Sequence, residues 1–194
     1  SFACNGSIDT QTLEFGIRDV QLLPAGTSGT PSSDMYNWKF VVNGKEVYAR
    51  GANWCTLDAM MDFSEERYEQ YFRMAKNANM NFMRLWGSGM PETDECYKWL
   101  DRYGLMAIQE WPNAWGAAPN IPYDLLKETV IQNTKRLRNH PSLIMYTGGN
   151  EISEVRDTSK AVAMMAQVYY YYDGSRFFRV DDGGWHNYAV GWGY

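Results

Sequence analysis

The pattern of apolar and polar positions changes character near residue 45. Before it the period is two: across 12–22, Phe15, Ile17, Val20 and Leu22 mark the apolar face of a half-exposed strand, with Gly16 placed as a bulge. Residues 38–42 and 46–50 are two further strand runs around Asn43-Gly44, a dipeptide that favours the tight turn of a hairpin. The turn-rich run from Pro24 to Ser33 separates these two regions and predicts a linker. Residues 1–44 are therefore expected to be β. They are too few to bury a sandwich core alone, so the expectation is the end of a larger β domain.

From residue 45 onward, strand and helix patterns alternate. A strand over 47–50 and a polar loop at Gly51-Ala52-Asn53-Trp54 lead to a helix near Asp62, where Asp62-Phe63-Ser64-Glu65 supplies a cap residue and an acid three positions later. Tyr68, Tyr71, Phe72, Ala75 and Ala78 then recur at helical spacing. Strands follow over 81–86, 105–112 and 142–147, with a fifth over 176–180, and helices over 92–103, 122–139 and 160–172. Gly104 and Pro112 stop the elements they follow, and Lys135, Arg136 and Arg138 suit the negative end of their helix. Such βα units imply a parallel sheet covered by helices, either an open doubly wound sheet or part of an eight-stranded barrel. No G-x-G-x-x-G or phosphate-binding loop follows any strand.

Composition narrows the chemistry. The net charge of −5 gives no electrostatic reason to hold a phosphate backbone, so no nucleic-acid partner is expected. No apolar run is long enough to span a bilayer, and the first residues lack the pattern of a signal peptide. A soluble protein is expected, cytosolic or, if a leader has been removed, periplasmic or secreted. Cys4, Cys55 and Cys96 are far apart and odd in number, and with only two histidines they predict free thiols, no metal site and no cofactor. Asn5-Gly6-Ser7 matches a glycosylation acceptor, a triplet common by chance. An aromatic fraction of 15%, with rings beside Gly, Asn and Pro, suits the C–H faces of sugars as well as a core.

The strand ends carry the candidate chemistry. They bear Asn53-Trp54, Arg84-Leu85-Trp86, Glu110-Trp111 and, after the apolar run that follows His140-Pro141, Gly148-Gly149-Asn150-Glu151. Polar and aromatic residues at the C-terminal ends of parallel strands are the pattern of a barrel enzyme. Arg, Asn, Trp and two Glu, without a Ser-His pair, suit acid and base work on a neutral polyhydroxylated substrate such as an oligosaccharide or β-glycoside. Glu151 is the candidate acid, a role that needs burial or a neighbouring negative charge to keep the proton, and its bland alternative is a helix cap. Asn150 is placed to bind a hydroxyl beside the reacting carbon. Arg84 either holds a carboxylate in position or forms a structural ion pair with Glu110. Trp54, Trp86 and Trp111 either stack on sugar faces or seal the barrel.

The chain resembles glycoside hydrolase family 2, most closely its β-mannosidase branch. The resemblance rests on Phe15-Gly16-Ile17-Arg18, Val42-Asn43-Gly44-Lys45, Arg50-Gly51-Ala52-Asn53-Trp54, the run from Asn79 to Gly87, Arg138-Asn139-His140-Pro141-Ser142 and Gly149-Asn150-Glu151, in order along nearly the whole chain. It implies the last strands of an immunoglobulin-like β sandwich in 1–44, and the N-terminal half of a (β/α)8 TIM-type barrel in 45–194. It implies a retaining glycosidase in which Glu151 is the general acid/base, with substrate contacts at Asn150, Arg84, Trp86, Glu110, Trp111, Asn53, Trp54 and Asp58. Two motifs depart from the family. Gly87-Ser88-Gly89 stands where three glycines are frequent, and Gln109-Glu110-Trp111 stands where mannosidases often have Gln-Asp-Phe. β-Glucosaminidase, β-galactosidase, β-glucuronidase and a non-catalytic carbohydrate-binding protein are the alternatives. The family's nucleophile ends the seventh strand, beyond the 43 residues that follow Glu151, so the expectation is a fragment carrying the acid/base half of the site.

Overall fold

The computed structural model describes residues 2–4, 6–24, 38–87, 89–115, 121–152 and 160–180. Asn5 of the glycosylation triplet, most of the expected linker, Ser88, and the carboxylates Glu154, Asp157, Asp181 and Asp182 lie outside them, as does the Gly- and aromatic-rich run 183–194.

Two short antiparallel strands, β1 (Phe2–Cys4) and β2 (Ser7–Asp9), precede β3 (Val20–Pro24), β4 (Trp38–Val42) and β5 (Lys45–Val47), which form an antiparallel sheet in the order β3-β4-β5. The βα units then run β6 (Gly51–Trp54), α1 (Glu65–Asn77), β7 (Phe82–Leu85), α2 (Asp94–Tyr103), β8 (Met106–Glu110), α3 (Tyr123–Leu137), β9 (Leu143–Thr147), α4 (Lys160–Tyr172) and β10 (Phe177–Arg179). Their strands pair in parallel in the order β10-β9-β8-β7-β6. A doubly wound sheet reverses strand order at a switch point, whereas here each strand lies beside its predecessor throughout, as in a barrel wall.

The two faces of that wall bury different things. One packs against all four helices, through Tyr68 and Phe72 of α1, Cys96, Tyr97 and Leu100 of α2, Leu126, Val130 and Leu137 of α3, and Met165 and Val168 of α4. The other face presents Phe82, Met106, Ile108, Ile144, Met145 and Phe177 to Val20, Leu22 and Phe40 of the small sheet. Strands β4 and β5 lie on either side of position 44, and Val20, Leu22 and Phe40 pack against the parallel sheet. None of the helices among the described residues is long and apolar enough to cross a membrane.

Three expectations from the pattern are corrected. The strand expected over 12–22 is confined to Val20–Pro24, and Phe15 and Ile17 are exposed. Its polar member Arg18 instead ties the segment to the start of β9, donating to the carbonyls of Pro141 (2.6 Å) and Leu143 (2.8 Å). The barrel's first strand is not 47–50 but the expected loop 51–54, held by its register with β7, in which Asn53 lies opposite Arg84. Helix α1 begins later than Asp62: Ser64 is its N-cap, without a side-chain cap bond, and Asp62 binds Arg67. The second helix behaves as expected, capped by the Thr93 side chain and stopped by a left-handed Gly104.

Candidate active site

Two strand ends and one loop converge on the guanidinium of Arg84, at the end of β7. Its Nε donates to Glu110 Oε1 at 2.6 Å, its Nη1 to Asn53 Oδ1 at 3.2 Å and its Nη2 to Asn150 Oδ1 at 2.5 Å. The Glu110 side chain is fully buried, and its second oxygen accepts the Gly87 N–H at 2.6 Å. Arg84 is thus an ion-pair partner of Glu110, and by the same three contacts it also organises the site. An arginine cannot accept a hydrogen bond, so both asparagine amides must turn their oxygens toward it. That leaves the N–H donors of Asn53 and Asn150 directed away from the guanidinium, available to hydroxyl oxygens.

The turn after β9 delivers Asn150 and Glu151 through close backbone contact. Gly149 has φ +154°, and a Cβ there would lie 2.1 Å from the carbonyl oxygen of Asn113. That carbonyl accepts the Asn150 N–H at 2.9 Å, and Asn150 in turn accepts the Trp115 N–H at 2.9 Å. Glu151 is exposed and sits at φ 48°, in the left-handed region. The burial expected around it is not found among the described residues. Its Oε2 accepts the Trp115 indole N–H at 2.9 Å, and Trp115 meets Trp86 edge to face at 5.9 Å. Trp115 is likewise left-handed, at φ 52°, and such conformations cost about 1–3 kcal/mol each in a non-glycine residue.

Two of the expected stacking residues lie on the helix side. Period-two alternation turns successive side chains of a strand to opposite faces. With Asn53 and Glu110 facing Arg84, their successors Trp54 and Trp111 face the helices. Trp111 is fully buried and stacked on Tyr146, with ring centres 5.4 Å apart. Trp54 packs among Tyr68, Tyr71 and Phe72. Asp58 is not drawn to Arg84 either. It pairs with Arg67 at 2.8 Å, and that hydrogen bond, with one from the Met60 N–H, holds its carboxyl below the usual range.

Glu92 carries no signal in the sequence beyond a place just ahead of α2, yet it is 2% exposed behind the site. Its oxygens accept the Trp54 indole N–H at 2.9 Å and the Tyr68 hydroxyl at 2.8 Å. Burial pushes its carboxyl above the usual range, against the lowering effect of those two hydrogen bonds. A cavity of about 480 Å³ opens at the other end of the sheet, lined by Glu14, Phe15, Lys98, Arg102 and His140 among others, and does not include the Arg84 cluster.

Comparison with known proteins places this geometry in context. The sequence profile of the glycosyl hydrolases family 2 TIM barrel domain matches residues 34–191. Over 154 residues the chain is 33% identical to a β-mannosidase of Mus musculus, a stretch covering 77% of this chain and 17% of that protein. It is 32% identical over 171 residues to a mannosylglycoprotein endo-β-mannosidase of Lilium longiflorum, covering 81% and 17% respectively. The crystal structure of β-D-mannosidase from Dictyoglomus thermophilum superposes with a TM-score of 0.72 at 27% identity, over 86% of this chain and 22% of that one. The chain thus spans about a sixth of the length of these curated relatives.

Proposed function

The chain belongs to family 2 of the glycosyl hydrolases, within its TIM barrel domain, and from that premise we propose that it carries the acid/base half of a retaining β-mannosidase site. The observation that carries the proposal is the grip of one guanidinium on Asn53, Glu110 and Asn150, with Glu151 the next residue along. The mannoside assignment is supported by the Mus musculus and Lilium longiflorum mannosidases, both above 30% identity.

In this reading Glu151 gives its proton to the glycosidic oxygen while a second carboxylate, not assigned to any described residue, attacks the anomeric carbon. The leaving group departs as an alcohol. Glu151, now ionised, takes a proton from the water that hydrolyses the glycosyl-enzyme. Asn150 and Asn53 offer N–H donors to hydroxyls beside the reacting carbon, and Trp86 offers a ring to the sugar face. Arg84 and Glu110 hold these groups in place. Residues 1–44 carry, in the same proposal, the end of an immunoglobulin-like sandwich with its linker and the start of the hairpin, a reading that the antiparallel pairing of β1 with β2 supports.

The test is turnover, by the protein carrying both halves of the retaining pair, of a β-linked mannobiose and of aryl β-mannoside, glucosaminide, galactoside and glucuronide. The expected outcome is fastest cleavage of the mannosides, with the β-anomer of mannose formed first. Glu151→Gln is expected to lower kcat on mannobiose by about 10²-fold or more. A faster rate on another glycoside reassigns the substrate, and an unchanged rate in Glu151→Gln removes the acid assignment. Sugar binding without turnover favours a non-catalytic carbohydrate-binding protein.

A further inference from the structure

Trp115 belongs to none of the strand-end pairs that the sequence singles out, yet the structure wraps it around Glu151. Its backbone N–H reaches the carbonyl of Asn150, its indole N–H reaches Glu151 Oε2 at 2.9 Å, and Ala114 before it bridges to Asn150 in parallel fashion. Both Trp115 and Glu151 hold positive φ without being glycine. Two bulky residues in that region, joined side chain to side chain, mark a contact that the surrounding structure enforces. Trp115 is 54% exposed and its ring stands at 72° to that of Trp86, so the two form an aromatic corner.

Resting on the acid/base assignment of Glu151, we propose that Trp115 is a positioning residue that orients the Glu151 carboxyl for proton delivery, and that its ring is the wall receiving the leaving group of the glycoside. The indole N–H can only donate, so the oxygen it occupies acts as an acceptor, and the acid proton resides on Oε1. That proton passes to the glycosidic oxygen as the anomeric C–O bond breaks, with the bonding electrons going to that oxygen. The anomeric carbon takes its new bond from the second carboxylate of the retaining pair. Throughout, Oε2 stays held by the indole, so the carboxyl meets the substrate in one orientation. Trp115 is held to Asn150 through its backbone and to Glu151 through its indole, and the exposed face of its ring suits the C–H surface of a sugar or an aryl leaving group.

Two substitutions separate the N–H from the ring. Trp115→Phe keeps an aromatic wall and deletes the donor, whereas Trp115→Ala deletes both. On the protein carrying both halves of the retaining pair, kcat/KM is measured for a phenyl β-mannoside, whose leaving group needs protonation, and a dinitrophenyl β-mannoside, whose leaving group does not. Trp115→Phe is expected to lose about tenfold or more on the phenyl substrate while staying within about twofold of the parent on the dinitrophenyl one, which also shows that the variant is folded. Trp115→Ala is expected to raise KM for both. Equal losses on the two substrates in Trp115→Phe, or none, overturn the positioning role.

A second readout needs no turnover. The indole N–H resonance of Trp115 is expected to shift with pH in the parent and to lose that dependence in Glu151→Gln. A resonance indifferent to pH in the parent overturns the contact even in an active enzyme. A resonance that behaves as expected in a protein with no activity on any β-glycoside upholds the contact, and it is then the glycosidase reading that fails.

Discussion

Replacing Arg84 by Met tests the site at its centre, because the cost can be worked from the contacts it removes. The Arg84 side chain is 17% exposed and that of Glu110 fully buried, so the pair is shielded from the screening that makes surface ion pairs nearly worthless. The substitution strands the Glu110 carboxylate in the sheet interior with its guanidinium gone, while its bond from Gly87 N–H persists. Removing one partner of such a pair costs roughly 3–5 kcal/mol, most of it the desolvation of the charge left behind. Glu110→Gln removes that charge, and its amide oxygen can still accept the Gly87 N–H. The double variant is therefore expected to be more stable than the sum of the two single losses predicts, by about 1.5–3 kcal/mol. Urea unfolding of the full chain and the three variants, followed by tryptophan fluorescence, completes the cycle. A loss under about 1 kcal/mol in Arg84→Met, or additivity within about 0.5 kcal/mol, refutes the claim that Glu110 depends on Arg84 for its charge.

Two further outcomes follow from the structure. The folded-state pKa of Glu92 is raised, so its protonated form is the one the fold favours: its contribution is fully present below the ordinary carboxylate pKa and is lost as pH rises through the raised value. Glu92→Gln is accordingly expected to flatten the fall in thermal stability across the window between the ordinary and the raised pKa, and a melting-temperature profile of unchanged slope there counts against it. Gly149→Ala is expected to cost about 1–3 kcal/mol and to weaken sugar binding, since the new methyl meets the Asn113 carbonyl that fixes Asn150; an unchanged melting temperature would show that the turn adapts.

What could be seen in the sequence depended on whether an element advertises its own burial. β9 is buried at every position, and α4 is stopped by Asp173-Gly174, so apolar runs bounded by turn residues gave both elements away. β6 is only four residues long and has no β-branched residue, and its residues are a strand because β7 pairs with them, a tertiary cause that no local pattern carries. Residue type and strand-end position brought Asn53, Arg84, Glu110 and Asn150 together correctly. The same criteria misplaced Trp54 and Trp111, although alternation along each strand already put them opposite Asn53 and Glu110. Trp115 had no such signal, since its place depends on a left-handed backbone that a tryptophan seldom adopts.

The end of β6 is clamped on both faces of the sheet. On the inner face Asn53 is bound by Arg84; on the helix side the next residue, Trp54, is bound by Glu92, which is itself anchored through its backbone N–H to Gln109 of β8. The buried carboxylate of Glu92 and the buried ion pair of Glu110 thus hold opposite faces of the same strand end. Each carries an electrostatic cost that an apolar core would avoid. Their arrangement makes sense if what is being held is not stability but the placement of Asn53 and Asn150 around one guanidinium, with Glu151 beside them.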